Sequence, residues 1–468
     1  MRMIELILCI SSGIVAMYSL INGRQKDNKN YVALILLLPL MVAHAFLEGI
    51  RWQLYGVYAY LPYLLYRLFI LKTKRFSIGE SGQNKIVASL YFVSILVCIL
   101  LASIFKMNEL PELTGSFEVG TVSMDLVDEN RTELYGATQG QNRKIRIQFW
   151  YPIDDHEGKK IAPWLTDGKV VATSVPREAG LPGFILEQST LIKSHSYEDA
   201  NLSNASETYP VILISHGWTG YRNLHSDFAE MLASHGYIAI SIDHTYGSLA
   251  TVFDNDEIAM LDREALPDRE TTADFLDYAN ALVTTYAYDS RLVLDYLDTL
   301  ANNSMFYQRI DYEKIGAVGH STGGGGIVKL SLEDPRIKAI LGLDPWVEPI
   351  GHDILSQGLT IPSLFIRSEM WETGYNNAYI KSLIDGSEVK PVTYQMNGGN
   401  HLDFSMLYMF QPLYKIIGYS GKLDPVVNAS IQRDFILKFF DAKLQGVNNN
   451  LNELGKDYEP IIEVSYTE

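Results

Sequence analysis

Cysteine is nearly absent from this sequence: Cys9 and Cys98 are the two in 468 residues, and both sit in apolar runs near the start. No disulfide can therefore staple the rest of the chain, whose stability has to come from an ordinary hydrophobic core. Basic charge is in deficit as well. Thirty-eight Lys and Arg face 55 Asp and Glu, a net charge of −17, which argues against nucleic acid as a partner and against an anionic surface held by general charge. No His/Cys/Asp cluster has metal-ligand spacing, and no glycine-rich run ends in the Lys-Ser/Thr of a phosphate-binding loop, so neither a metal nor a cofactor is implied. Internal repeats are absent too. At this length two or three structural units are expected.

What is present is unevenly placed. Met3 to Ile21, Tyr31 to Leu47, Gln53 to Leu71 and Ile86 to Phe105 are apolar stretches close to the roughly 20 residues that carry a helix across a bilayer. His44 in the second, and Pro62 with Arg67 in the third, leave one of that middle pair open to an interfacial or re-entrant placement. No small-residue cleavage site follows the first run, so it is expected to stay as an anchor. Arg24, Lys26 and Lys29 follow the first run, and Lys72, Lys74, Arg75 and Lys85 separate the third from the fourth. Loops rich in Lys and Arg remain cytoplasmic. Four crossings over residues 1–108 then place residues 109–468 on the extracytoplasmic side of a cell membrane.

From about residue 140 short β-branched runs alternate with helical stretches, the pattern of a mostly parallel sheet covered by helices. Strands are expected at Lys144 to Tyr151, Val211 to Ser215, Tyr237 to Ile242, Lys314 to Val318, Ile337 to Leu343, Ser363 to Arg367 and Val392 to Met396. Arg222 to His235 and Tyr286 to Leu300 read as amphipathic helices. The acidic, weakly apolar stretch Asp254 to Asp277 suits a cap or flap, bounded at 245–280, better than core.

Gly319-His320-Ser321-Thr322-Gly323 follows one expected strand and precedes a helix, the setting that a G-x-S-x-G nucleophile elbow requires. A glycine-rich βα turn with an incidental serine is the plainer reading of such a pattern, and the flanking elements weigh against it. A serine hydroxyl is a weak nucleophile, so it needs a base within reach and a third group to orient that base. Two histidines follow Ser321: His401, just past the last expected strand, is the candidate base, while His352 reads as a surface residue. Asp344 and Glu369 each end a strand, and position alone leaves both open as the acid. Amides of Thr322 and of Trp218, in Ser215-His216-Gly217-Trp218, are candidates for the oxyanion hole. His216 reads as scaffold of that turn rather than as a base or metal ligand. Trp218 and Trp346 are expected to narrow the acyl side of the site.

At these residues the chain resembles the platelet-activating factor acetylhydrolase family, the monomeric branch that includes the plasma, lipoprotein-associated phospholipase. The likeness runs through much of residues 144–445. It rests on Ile147-Gln148-Phe149-Trp150-Tyr151-Pro152, Ser215-His216-Gly217, Leu232-Ala233-Ser234-His235-Gly236-Tyr237, the Gly-His-Ser elbow, Leu343-Asp344-Pro345-Trp346, Ser368-Glu369 and the His401 to Phe404 segment. It implies an α/β-hydrolase fold, a Ser321, His401, Asp344 triad with Asp344 rather than Glu369 as the acid, and phospholipids with a short or oxidised sn-2 acyl chain as substrates. Thr322 stands where that family commonly has phenylalanine, and Trp218 where a smaller aliphatic residue is usual. The family's better-known members lack a multi-pass anchor. The run Gly319 to Gly326 is also similar to bacterial cutinases and polyester hydrolases, which implies a broad short-chain esterase or polyester hydrolase as the alternative. A reading from another class, a non-catalytic adhesion or receptor module, is disfavoured because such modules usually lose the serine or the histidine.

Overall fold

The computed structural model describes residues 2–21, 28–63, 65, 80–451 and 453–464. Among the described residues three long helices come first, α1 (Met3–Ile21), α2 (Asn28–Leu47) and α3 (Glu80–Ile104). They pack on one another, and on Val57 of the segment between α2 and α3, through Leu8, Leu37, Ile95 and the two cysteines, which are buried and free. Among the described residues one helix, Ile86–Ile104, is long and apolar enough to cross a membrane; Met3–Tyr18 and Ile35–Leu47 are apolar but shorter. Four spanning helices were expected; among the described residues one helix meets that criterion. Polar residues 28–30 open α2, which runs on through Pro39 although that residue lacks a hydrogen-bond donor. The third run is no single helix where it is described: it opens with a 3₁₀ turn at Trp52–Leu54 and a single helical turn at Tyr55–Tyr58. Residues 64 and 66–71 of that run lie outside the described residues.

The sheet begins with β1 (Glu118–Thr132), β2 (Asn142–Ile153), β3 (Ile161–Pro163), β4 (Lys193–Glu198), β5 (Tyr209–Ser215) and β6 (Ile238–Asp243). A separate two-stranded hairpin, β7 (Ala250–Val252) and β8 (Ile258–Met260), follows. Then come β9 (Ile310–His320), β10 (Ala339–Leu343), β11 (Ser363–Ser368), β12 (Val392–Met396) and β13 (Ile461–Glu463). Eleven strands pair in the order β13-β12-β11-β10-β9-β5-β6-β2-β1-β4-β3, and the six from β12 to β6 run parallel. The covering helices are α4 (Lys169–Glu178), α5 (Ser226–Ser234), α6 (Phe275–Asp298), α7 (Thr322–Glu333), α8 (Asn376–Gly386) and α9 (Pro425–Leu444).

Side chains of a strand alternate between the two faces of its sheet. Val211 and Leu213 of β5 accordingly enter the core beneath α6 and α7. Ile212 and Ile214 enter the core beneath α5 and α9. Both faces are covered, which is why the central strands read as unbroken apolar runs. The seven expected strands fall on β2, β5, β6 and β9 to β12. Asp254 to Asp277 contributes the end of the small hairpin, a 3₁₀ turn and the first residues of α6. Phe253, Ala259 and Ala265 seat this region on Tyr135, Leu282 and Tyr286.

Parallel strands align their carboxyl ends along one edge, where α/β sheets place ligands. Ser215, His320, Leu343, Ser368 and Met396 end five neighbouring strands there. The loops that follow carry every residue singled out for chemistry.

Candidate active site

Ser321 sits between the end of β9 and the first turn of α7 with φ 54° and ψ −120°, a conformation that costs a non-glycine residue on the order of 1–3 kcal/mol. The turn is held open by its surroundings: Ser321 N donates to Leu343 O at 3.0 Å, and Ser321 O accepts from Gly325 N at 3.0 Å and Trp346 N at 2.9 Å. Gly323 is required, since a Cβ there would lie 2.3 Å from Ser215 O. The strained turn lifts the hydroxyl to the sheet edge, 2.9 Å from His401 Nε2.

His401 begins a 3₁₀ turn whose start is capped reciprocally by Asn400 and Asp403. Its Nδ1 lies 2.9 Å from Asp344 Oδ2. Asp344 is fully buried, so its charge needs partners. Besides the imidazole it accepts from Ser368 N at 2.7 Å and Ser368 Oγ at 2.6 Å. Glu369, the other candidate acid, is turned away: its carboxylate accepts from Gly398 N and braces the loop that delivers His401. The structure therefore brings Ser321, His401 and Asp344 into one hydrogen-bonded line and leaves Glu369 outside it.

Three further residues touch this line without having been singled out. Trp371 stacks flat on the His401 ring, centroids 4.5 Å apart and planes 3° from parallel. His320 is buried, donates Nε2–H to His401 O at 3.0 Å, and is kept neutral because burial pushes its pKa well down. Ser368 fixes the acid. Ser368 and His320 stood in the sequence inside recognised segments, but only the folded register discloses their bonds. For Trp371 no sequence signal exists, since its contact depends on where the β12 loop returns.

On the other side of Ser321 lies the loop after β5. A Cβ at Gly217 would meet Ser321 Cβ at 2.9 Å, so only glycine lets this backbone approach the nucleophile so closely. Among the described residues the amides of Trp218 and Thr322 have no protein acceptor, leaving both available to a ligand beside the hydroxyl. The turn after β6 braces the loop: Thr219 N donates to Gly247 O at 3.0 Å, Leu249 N to Gly220 O at 2.9 Å, and His216 Nε2 pairs with Ser248 Oγ at 2.8 Å. Beneath it His244 links Ser215 Oγ (2.8 Å) to Asp289 (3.0 Å), and the buried Arg143 closes the network with a bidentate bond to Asp289. His216 is thus scaffold, and burial depresses its pKa well below the ordinary value. His352 is exposed, against Ser382 and Tyr379.

A pocket of ≈ 850 Å³, part of it open solvent, lies beside the line, with Gly217, Trp218, His320 and Leu402 among its lining. One side of it comes from Val175 to Leu186 and the other from Ser405 to Tyr419, mostly leucine, isoleucine, phenylalanine and tyrosine. Trp218 lines it. Trp346 does not: its amide is held by Ser321 O, and its ring falls on the α6 side of the turn, beside Phe275 and 3.3 Å from Glu348 through Nε1.

A profile of the family described as platelet-activating factor acetylhydrolase, isoform II, matches residues 102–274 and 289–460. That of the dienelactone hydrolase family matches 199–369. Platelet-activating factor acetylhydrolase of Bos taurus is 26% identical over 424 residues, 82% of this chain and 89% of its own. The protein of that name from Cavia porcellus is 24% identical over 378 residues, 76% of this chain and 82% of its own. Cutinase est1 of Thermobifida alba is 30% identical over 166 residues, covering 35% of this chain and 43% of that one. Among solved structures, ferulic acid esterase from Streptomyces cinnamoneus matches with a TM-score of 0.63 at 21% identity, over 77% of this chain and all of that one. With the dienelactone hydrolase match and the mostly parallel sheet, that likeness supports the expected α/β-hydrolase fold.

Proposed function

The chain belongs to the platelet-activating factor acetylhydrolase, isoform II, family, and from that premise we propose a serine carboxylic ester hydrolase of lipid-like esters, phospholipids with a short or oxidised sn-2 acyl chain among them. The observation that carries this reading is the unbroken line Ser321, His401, Asp344, 2.9 Å at each step, beside an apolar pocket.

The chemistry follows from the geometry. Asp344 accepts from Nδ1–H, which leaves the Nε2 lone pair facing the Ser321 hydroxyl. As Ser321 Oγ attacks the ester carbonyl, His401 Nε2 takes the hydroxyl proton and the carbonyl π electrons move onto oxygen. Amides of Trp218 and Thr322 stabilise that oxyanion; one such donor is commonly worth about 10²–10³ in kcat. The imidazolium lies between a carboxylate and the face of Trp371, both favourable to a cation. Collapse expels the alkoxide, which takes the proton from Nε2. Water, deprotonated by the same nitrogen, then releases the acyl group and restores Ser321.

The acyl chain is assigned to the pocket, with Trp218 as its wall nearest the nucleophile. A broad short-chain esterase or polyester hydrolase is the second reading, favoured by the likeness to cutinase est1. Hydrolysis rates on an acyl series from acetyl to palmitoyl, with a phospholipid panel, separate the two. The leading reading expects phospholipid turnover with a preference for short acyl chains that Trp218→Leu moves to longer ones. Polyester turnover without phospholipid turnover selects the second. A fully inert, folded protein selects the adhesion or receptor module.

The membrane reading is part of the proposal: a multi-pass anchor with the hydrolase domain outside the cytoplasm. It is supported by the basic loops on one side of the runs. It is supported too by the meeting of Glu5 at the start of α1, His44 and Glu48 at the end of α2, and Phe105 after α3, all around Arg51 at one end of the bundle.

A further inference from the structure

Two hydrogen bonds hold the His401 imidazole, Nδ1 to Asp344 and Nε2 to Ser321, and they sit at opposite ends of the ring. Bonds so placed fix where the ring lies but leave it free to rock about the line that joins them. Rocking matters, because a hydrogen bond weakens steeply once its angle opens. The ring therefore needs contacts on its faces. His320 supplies one at 4.6 Å, tilted by 41°. Trp371 alone lies flat on the imidazole, centroids 4.5 Å apart and planes 3° from parallel, and 17% of the His401 side chain is left exposed.

The chain spends a whole segment on this contact. Trp371 ends a 3₁₀ turn, Glu369–Trp371, directly after β11. The residues before it already serve the same line: Ser368 holds Asp344 through its amide and its hydroxyl, and Glu369 accepts from Gly398 N in the loop that delivers His401. Four consecutive residues thus reach the acid, the loop of the base and the ring of the base. The start of α8 pins them. Asn377 Nδ2 donates to Trp371 O at 3.3 Å and Glu372 O at 2.8 Å. Asn376 fixes the turn that carries Asp344, donating to Pro345 O at 2.9 Å and accepting from Val347 N at 2.9 Å and Glu348 N at 3.1 Å.

Packing alone is the plainer reason for a tryptophan, and two observations weigh against it here. Among the described residues Trp371 belongs to no apolar core cluster, and it is half-buried. Nor does it line the pocket. The ring it meets is the base.

We propose that Trp371 is a positioning residue of the reaction: its indole holds the His401 imidazole at the tilt that aims Nε2 at the Ser321 hydroxyl. The proposal rests on the esterase reading above and adds that the base is oriented from its face as well as by its acid. Acting through the base, Trp371 governs kcat and not substrate affinity.

The test uses the full chain in detergent and a water-soluble butyrate ester, with Trp371→Leu made in the wild type and in His401→Ala. In the wild type we expect kcat to fall by about tenfold to a hundredfold, the scale of a small misplacement of a reacting group, with KM changed by less than about twofold. Fluorophosphonate labelling of Ser321 should slow by the same factor, since it too needs His401 to take the hydroxyl proton. Trp371→Phe keeps a flat face and should recover most of the loss. In His401→Ala, whose residual hydrolysis has no ring to position, Trp371→Leu should cost nothing further. Equal fractional losses in the two backgrounds, a rise in KM with kcat intact, or an unaltered kcat would each overturn the proposal while leaving the esterase reading standing. A folded wild type inert on the ester would sink that reading and this one with it. Should Trp371→Leu fail to fold, Trp371→Gln, suited to a half-exposed position, takes its place in the same cycle.

Discussion

A single carboxylate separates two accounts of the site at the scale of residues. Asp344 is buried and bonded to His401 and Ser368, whereas Glu369 is 42% exposed and bonded to Gly398 N. Asp344→Asn reverses a hydrogen-bonding role and should lower kcat/KM by roughly 10⁴. Glu369→Gln should cost far less, and the opposite order in steady-state assays would move the acid to the later strand. Ser368→Ala removes one bond to a buried charge, about 1.5–3 kcal/mol, and should lower kcat/KM by about tenfold or more. A neighbouring histidine gives a pH signature. Burial pushes His225 from its ordinary 6.5 down to about 3, and neither ring nitrogen has a partner among the described residues. The folded protein refuses a proton that the unfolded chain accepts, so this contribution is complete above pH 6.5 and is lost as pH falls towards 3. Between pH 7 and 5 the loss is about 2 kcal/mol. Urea unfolding of His225→Phe should show that much less acid destabilisation than wild type; identical pH dependence would refute it. The sequence made Ser321 and His401 legible because a nucleophile elbow and chain order constrain them, whereas only the family resemblance separated Asp344 from Glu369. It hid Trp371, whose only role is to meet a ring 30 residues away.

Elements explain what single residues cannot. The central parallel strands were readable because burial on both faces demands uninterrupted apolar residues. The strand β1 was not: it lies towards the sheet margin, and its burial is mixed along Glu118–Thr132, so no clean alternation survives. The three-residue strands β3, β7, β8 and β13 are too short to carry a period. The turn after β6 was also silent in the sequence, yet it fixes the loop after β5 through Thr219, His216 and the chain from Ser215 through His244 to Asp289. Loosening that brace should misplace the Trp218 amide while leaving the pocket intact. His244→Gln and Ser215→Ala are therefore expected to lower kcat by about 10–100-fold with little change in KM. Affinity for a trifluoromethyl ketone, whose hemiketal oxyanion needs the same amides, should fall in parallel. Lost activity with full ketone affinity would show that the turn only supports the fold.

For the whole molecule, hydropathy and fold carry different weights. The apolar runs were visible at once, but only Ile86–Ile104 meets both length and apolarity as a described helix. Hydropathy counts residues, whereas the broken start of the third run decides how many of its residues continue as one helix. A reporter fused after Glu468 should be active only outside the cytoplasm and one near Lys26 only inside; a cytoplasmic C-terminal reporter would require an odd number of crossings. None of this matters unless Ser321 is the nucleophile, and one measurement addresses that directly. The intact protein is treated with a fluorophosphonate, the modified peptide is mapped, and ester hydrolysis is compared with that of folded Ser321→Ala. The account predicts phosphonylation at Ser321, no labelling of the variant, and hydrolysis lowered by roughly a thousandfold or more. Labelling at another residue, or a folded Ser321→Ala that hydrolyses esters at the wild-type rate, would contradict it.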